Sequence, residues 1–182
     1  RCMEFEADSE GFIRQGKDDA EGELVYAKAD KIWAVSSNCH FNTDFRFNSQ
    51  STAMQFTSKK TIGGRAWPSV KLASAEQEKV LVLWANSSLG LLLHWWYANK
   101  QQAGRGSIGI LALESLPVLD VTNLSEAALS KAVAIFDEMK HKELRPVNEI
   151  AQDPVRAEID RRLATEVLGF PPELASPDGP LA

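Results

Sequence analysis

The pattern of apolar and polar positions changes character three times along the chain. Residues 1–30 are polar, acidic and dotted with glycine, and predict a leading segment with one short strand at residues 24–27. From residue 32, short apolar stretches alternate with turns rich in Asn, Ser and Thr, which predicts strands at residues 32–35, 45–47 and 53–57. In the last of these, Met54 and Phe56 share one face and Ala53, Gln55 and Thr57 the other. A further short strand is predicted at residues 70–72. Ser74 then predicts an N-cap with Gln77 as its capping-box partner, opening a helix that runs to about residue 99. The second half of that helix is apolar nearly all round, which predicts a place in the core. Residues 100–107 break it. Residues 108–113 predict a strand, and residues 116–119 an extended segment, because the residue before proline is biased away from helix.

The C-terminal third is helical in pattern. Ser125 can cap a helix whose Leu129, Ala132, Val133 and Phe136 share a face. Asp153-Pro154 reads as a cap followed by proline at the first helical position. Val155, Ile159, Leu163 and Val167 then repeat every four residues, and Gly169 closes the helix. These elements predict an α+β fold of short strands packed around one long buried helix, with a C-terminal helical subregion. The expected organisation is a polar acidic segment (1–30), an α/β core (31–122), the helical subregion (123–170) and a Pro-rich tail (171–182). A chain of 182 residues supports one proper core, and a second independent one is not expected. It starts at Arg1 rather than Met, which predicts a piece excised from a longer protein.

Composition changes this picture little. Apolar residues make up 44% and charged residues 25%, so a globular chain is expected rather than a disordered one. The two cysteines, Cys2 and Cys39, form no Cys-x-x-Cys; no disulfide framework is expected, and a cytoplasmic location fits. The longest apolar run, residues 80–97, is interrupted by Asn86, Ser87, Ser88, Gly90 and His94. A membrane span would want about 20 clean apolar residues, so a buried helix is the expectation.

Charge matters more. The net charge is −5, but residues 28–71 hold 7 Lys or Arg against 2 Asp or Glu, and residues 72–109 hold 3 against 2. Residues 1–27 hold 3 against 8, and residues 110–182 hold 7 against 13. A basic island therefore lies between two acidic ends, and one surface can attract phosphate if those ends fold away from it.

Candidate chemistry is sparse. Gly104-Arg105-Gly106-Ser107-Ile108-Gly109 matches G-x-G-x-x-G, yet it follows a predicted helix and precedes a predicted strand, the reverse of a dinucleotide loop. The expectation is that these glycines shape a turn. His94 falls on the buried helix and reads as a satisfied core histidine. Cys39 and His40 are adjacent, with no second pair to complete a zinc site. Asp120, Glu138 and Lys140 outline a metal-dependent nuclease set, but Glu138 and Lys140 stand two apart on a predicted helix and face different ways. The sequence holds no Gly-x-Ser-x-Gly or Walker loop, and no catalytic constellation is expected. Two basic loops remain. Lys59, Lys60, Arg65 and Lys71 cluster with Trp67 and a glycine pair; Lys100, Gln101, Gln102, Arg105 and Ser107 form the second group. Lys and Arg supply phosphate contacts, Gln and Arg can read base edges, and Trp can stack or wedge.

The run Leu83-Trp84-Ala85-Asn86-Ser87-Ser88-Leu89-Gly90, the apolar stretch after it, Gly104-Arg105-Gly106-Ser107 and Leu116-Pro117-Val118-Leu119 together resemble the C-terminal target-recognition region of adenine-specific DNA methyltransferases, including combined restriction–modification enzymes. The helix carrying Asp153, Arg156 and Asp160 and ending in Leu168-Gly169-Phe170 is similar to the end of that region. The resemblance spans about residues 31–170 and implies a module that reads duplex DNA for a methyltransferase domain upstream in the same parent chain. S-adenosylmethionine and an Asn-Pro-Pro-aromatic motif would belong to that domain, so this chain carries no catalytic residue or cofactor of its own in that reading. Asn86 and Ser87 are expected to be structural. The alternative from another class is a protein–protein interaction or assembly domain, suggested by the acidic helical third with its regular apolar faces.

Overall fold

A computed structural model describes residues 3–5 and 31–175. The strand expected at residues 24–27 and the end of the tail, residues 176–182, lie outside the described residues. Two small sheets share one strand-to-strand link. The first has the order β1-β4-β2-β5, built from β1 (Glu4–Phe5), β2 (Ser37–Phe41), β4 (Met54–Thr61) and β5 (Ser69–Val70). β1 runs parallel to β4, and the other pairs are antiparallel. The second has the order β3-β7-β6, all antiparallel, from β3 (Asp44–Arg46), β6 (Asn99–Gln101) and β7 (Arg105–Ser107). Asn42 and Thr43 carry the chain from β2 directly into β3.

Period-2 alternation holds in β2 and β4. Cys39, Phe41, Met54 and Phe56 are buried against helix α1 (Ala75–Ala85), while Asn38, Gln55 and Thr57 turn to the other face. Helix α4 (Glu126–Met139) packs on α1. Phe136 meets Phe56 edge-on at 5.7 Å, and Lys79 reaches Asp137 at 3.0 Å. The hydrophobic core is continuous from the sheet through α1 into α4 and α5 (Pro154–Arg162), so the helical third completes the same core.

Several expected caps form. Ser74 Oγ accepts from Gln77 N–H, Ser125 Oγ from Ala128 N–H, and Asp153 Oδ1 from Val155 and Arg156 N–H. The capping box at Ser74 is only half made, because the Gln77 side-chain oxygen finds no partner. Beyond α5 a π turn at Leu163–Val167 keeps Leu163 and Val167 buried in line with Ile159, and Gly169 leaves the helix at φ 71°. A 3-10 turn, Pro172–Ala175, follows.

Three expectations are corrected. The long buried helix is two helices, α1 and α2 (Ser88–Tyr97), and most of α2 is not buried: only Gly90, Leu91 and His94 are. The break lies at Asn86 and Ser87. The Asn86 carboxamide satisfies the start of β4, accepting from Ala53 N–H (2.7 Å) and donating to Met54 O (2.9 Å). Ser87 Oγ accepts from Gly90 N–H (3.1 Å) and restarts the helix as an N-cap. Second, residues 31–33 make a helical turn rather than a strand, closed by Ser36 N–H on Trp33 O. Third, only Ile108 joins the sheet beyond β7; Gly109 then caps a short helix, α3 (Ile110–Glu114), where a strand was expected. The alternation of Ile108 and Ile110 mimics a strand, but the chain leaves the sheet after Ile108 and Leu113 N–H closes the first helical turn on Gly109 O.

Candidate nucleic-acid interface

The second basic loop is a β-hairpin. Gln101 pairs with Arg105, leaving Gln102, Ala103 and Gly104 to turn the chain, and both Ala103 (φ 60°) and Gly104 (φ 67°) adopt the left-handed conformation. Only Gly104 does so without steric cost. Gly106 is needed for a different reason: a Cβ there would lie 3.0 Å from the Ala98 Cβ and 3.4 Å from the Trp95 ring. Gly104 and Gly106 of the G-x-G-x-x-G stretch thus serve a turn and a close packing contact.

The hairpin aligns with β3, and side-chain alternation sorts the faces. Phe45 and Gly106 are buried and set the inner face. The outer face then carries Arg46, Arg105 and Gln101 in one transverse row, with Asp44, Ser107 and Asn99 in the next. Arg46, Arg105 and Gln101 are all exposed. The Gln101 amide donates to Ser107 Oγ at 3.2 Å. Gln102 is exposed in the turn. Lys100, whose register partner is Gly106, folds its ammonium over the Trp95 and Trp96 rings at 5.4 and 5.9 Å and donates to Trp96 O at 2.6 Å.

The first basic group sits on and after β4. Between Cys39–Phe56 and Ser37–Thr61 the β2–β4 register slips, so residues 57–60 bulge outward and Lys59 and Lys60 are exposed. After Thr61 the chain crosses β2 on its outer face to reach β5 on the far side. This crossover covers a small pocket of about 180 Å³, lined by His40, Gln55, Thr61, Trp67 and the backbone of Gly63 and Gly64. His40 Nε2 lies 2.7 Å from Thr61 Oγ1 and 3.1 Å from Ser37 O, and burial lowers the ring's pKa. Trp67 is half-buried there and supports the crossover. Arg65 is exposed at its apex, while Lys71 donates to Ala34 O at 3.2 Å.

Thr43 brings part of the two groups together. Its N–H donates to Ala66 O (2.9 Å), its hydroxyl lies 3.3 Å from Arg65 O, and its own carbonyl accepts from Ile108 N–H (2.8 Å). The crossover loop and the hairpin therefore flank the same residue. Lys59, Lys60 and Lys71 lie at the opposite end of β2, beside Ser37 and Asn38, roughly 20 Å away at about 3.3 Å per residue. Arg46 was not among the residues singled out in the sequence. Its place opposite Arg105 depends on strand register, which no local pattern announces.

The remaining candidates are dispersed. Asp120 binds Thr122 and Asn123 in an exposed turn, which holds its carboxyl below the usual range. Glu138 bridges to Arg162 at 2.6 Å, and Lys140 to Glu4 at 3.0 Å and Asp137 at 3.4 Å. The Cys39 thiol is buried, and that burial raises its pKa. Among the described residues no group of three or more His, Cys, Asp or Glu side chains is placed to hold a metal ion, and no helix is long and apolar enough to cross a membrane. His94 is a core histidine but not a satisfied one: both ring nitrogens are buried without a hydrogen-bond partner.

Asn86, Ser88, Asp153, Arg156 and Asp160 are joined by polar contacts between α5 and the junction of α1 and α2. Arg156 donates to the backbone oxygens of Asn86, Ser51 (2.9 Å) and Arg145 (3.1 Å), beside Asp153 at 3.5 Å. Asp160 accepts from Ser88 N–H at 2.9 Å, tying α5 to the start of α2. No protein-family model, curated protein or solved structure matches the chain.

Proposed function

We propose that this chain reads target DNA for an adenine-specific DNA methyltransferase of the restriction–modification kind, with the three-stranded sheet and the crossover loop facing the duplex. The observation that supports this most is the junction at Thr43, where the Arg65 loop and the Arg105 hairpin are hydrogen-bonded to one residue. The Arg65 loop and the hairpin that carries Gln101, Gln102 and Arg105 come from distant parts of the sequence to the two sides of that residue. Arg65 and Arg105 hold phosphates or read guanine edges, and Gln101, Gln102 and Ser107 supply neutral hydrogen bonds. Lys59 and Lys60 add phosphate attraction at the far end. Lys71 and Lys100 have intramolecular acceptors and contribute less. The resemblance to methyltransferase recognition regions supplies the identity of the ligand. Methyl transfer from S-adenosylmethionine belongs, on this reading, to a separate domain of the parent chain.

The test is duplex binding by fluorescence anisotropy across a salt series. The wild-type chain should bind with an affinity that falls steeply with salt. Arg65→Ala combined with Arg105→Ala should weaken binding roughly tenfold or more and flatten the salt dependence. Undiminished binding by the double variant would remove these loops from the interface.

A second reading has its own observation. Leu89, Leu92, Trp96 and Tyr97 form an exposed stripe along α2, with Leu92 57% and Trp96 72% exposed. A protein-docking or assembly role fits that stripe. A stable oligomer in sedimentation velocity, dissolved by Leu92→Glu, would favour it.

A further inference from the structure

On the outer face of the three-stranded sheet, Arg46 on β3 lies directly opposite Arg105 on β7. Phe47 N–H donates to Gly104 O at 2.9 Å and Ile108 N–H to Thr43 O at 2.8 Å, so the Arg46–Arg105 pair falls between these hydrogen-bonded positions. That is the pair geometry in which opposed residues come closest, with Cα atoms about 4.5 Å apart. Like charges placed directly opposite on neighbouring strands destabilise the pairing. Among the described residues neither guanidinium makes an ion pair, whereas Arg145, Arg156, Arg161 and Arg162 each do. The acid on the same face, Asp44, is one row further along the strands, where it faces Ser107.

The fold nevertheless holds this unfavourable pair in place. Arg46 N–H donates to the side chain of buried Gln50 at 2.9 Å, and Gln50 N–H returns to Arg46 O at 2.9 Å. Gln50 is itself anchored by its amide on Thr52 O and by Val147 N–H on its carbonyl. Arg105 is fixed by the hairpin turn and by Gln101 across β6. Two cations are thus set side by side on an exposed surface, with no ion pair to an acid among the described residues and an amide next in line.

We infer that Arg46, Arg105 and Gln101 form a phosphate-gripping row, in which the two guanidinium forks straddle backbone phosphates of a nucleic acid strand and Gln101 hydrogen-bonds alongside them. Two planar forks give bidentate recognition that a pair of lysines would not. An incoming phosphate removes the repulsion between the arginines, so binding and strand pairing reinforce each other. The inference rests on the DNA reading for the source of the phosphate. The geometry itself calls only for paired phosphate oxygens.

The experiment combines thermal melting with duplex binding, for the wild-type chain, Arg46→Gln and Arg105→Gln. Because phosphate contact is independent of sequence, a mixed-sequence duplex serves as probe, with inorganic pyrophosphate as the minimal one. Each single variant should melt at or above the wild-type temperature in low salt without ligand, since it loses the cross-strand repulsion. Each should also lose most of the melting shift that pyrophosphate gives the wild type, bind the duplex roughly tenfold more weakly and lower its salt slope by about one. A merely structural role for either arginine would lower the unliganded melting temperature instead, and that outcome overturns the inference. If all three proteins bind duplex equally, the row fails while the DNA reading stands. If pyrophosphate stabilises only the wild type and duplex binds none of them, the row stands and the DNA reading fails. No response of the wild type to either probe rejects the row.

Discussion

His94→Leu should flatten the acid side of the protein's stability profile. The imidazole is fully buried on α2, with the rings of Phe41 and Phe45 edge-on to it at 4.8 and 5.1 Å. Neither ring nitrogen has a hydrogen-bond partner, so nothing offsets the cost of burying a charge there. Burial lowers its pKa from 6.5 to about 4. Above the unfolded value the ring is neutral in both states and its contribution is constant. Below it, the unfolded chain takes up a proton that the folded protein refuses, and stability is lost as pH falls towards the folded value. At about 1.4 kcal/mol per pH unit, that loss reaches about 3 kcal/mol. Leucine keeps an apolar side chain against the two phenylalanines and carries no titrating group. Near neutrality the substitution should therefore change stability by no more than about 1.5 kcal/mol in either direction. Urea unfolding followed by tryptophan fluorescence, from about pH 7 down to about pH 4.5, checks this. Subtracting the two profiles removes the carboxylates, which titrate in both proteins. The difference should move in favour of the variant by about 2–3 kcal/mol on acidification. Parallel profiles, or a wild type that gains on the variant in acid, would refute the reasoning.

Other consequences follow from buried polar groups and close contacts. Arg156→Ala leaves Asp153 buried without its counter-ion and three backbone oxygens without their donor, and should cost about 3–5 kcal/mol in urea unfolding. Gly90→Ala places a Cβ 2.4 Å from Trp84 O and 2.6 Å from Ala85 O at the junction of α1 and α2, and should cost about 1–3 kcal/mol in the same assay. Asn86→Ala strips partners from the backbone of Ala53 and Met54, and a loss of about 1–3 kcal/mol is expected by thermal or urea unfolding. In duplex binding, Lys59→Ala with Lys60→Ala should weaken affinity less than Arg65→Ala with Arg105→Ala, because the lysines stand at the other end of β2.

Much of the local architecture was legible in the sequence, because the signals concerned act over a few residues. Ser74, Ser125 and Asp153 cap the helices their positions announce, and Met54 and Phe56 face the core as their alternation requires. The glycines at 104 and 106 serve a hairpin turn and a tight contact rather than a nucleotide loop. Other features depended on partners far along the chain. Asn86 ends α1 because its carboxamide meets the backbone of Ala53 and Met54, and an apolar run alone gives no sign of that contact. Leu92 and Trp96 are exposed although their helix is apolar all round, since only one face of α2 meets the sheet. Strand register set the candidate site in the same way. Arg105 was visible in the sequence as one basic residue in a glycine-bearing loop, but Arg46 became its neighbour only when β3 aligned with β7. Composition and capping thus determined that strands, helices and a basic middle would exist. Long-range pairing decided which charges stand together, because a one-residue change of register would turn every one of these side chains to the opposite face.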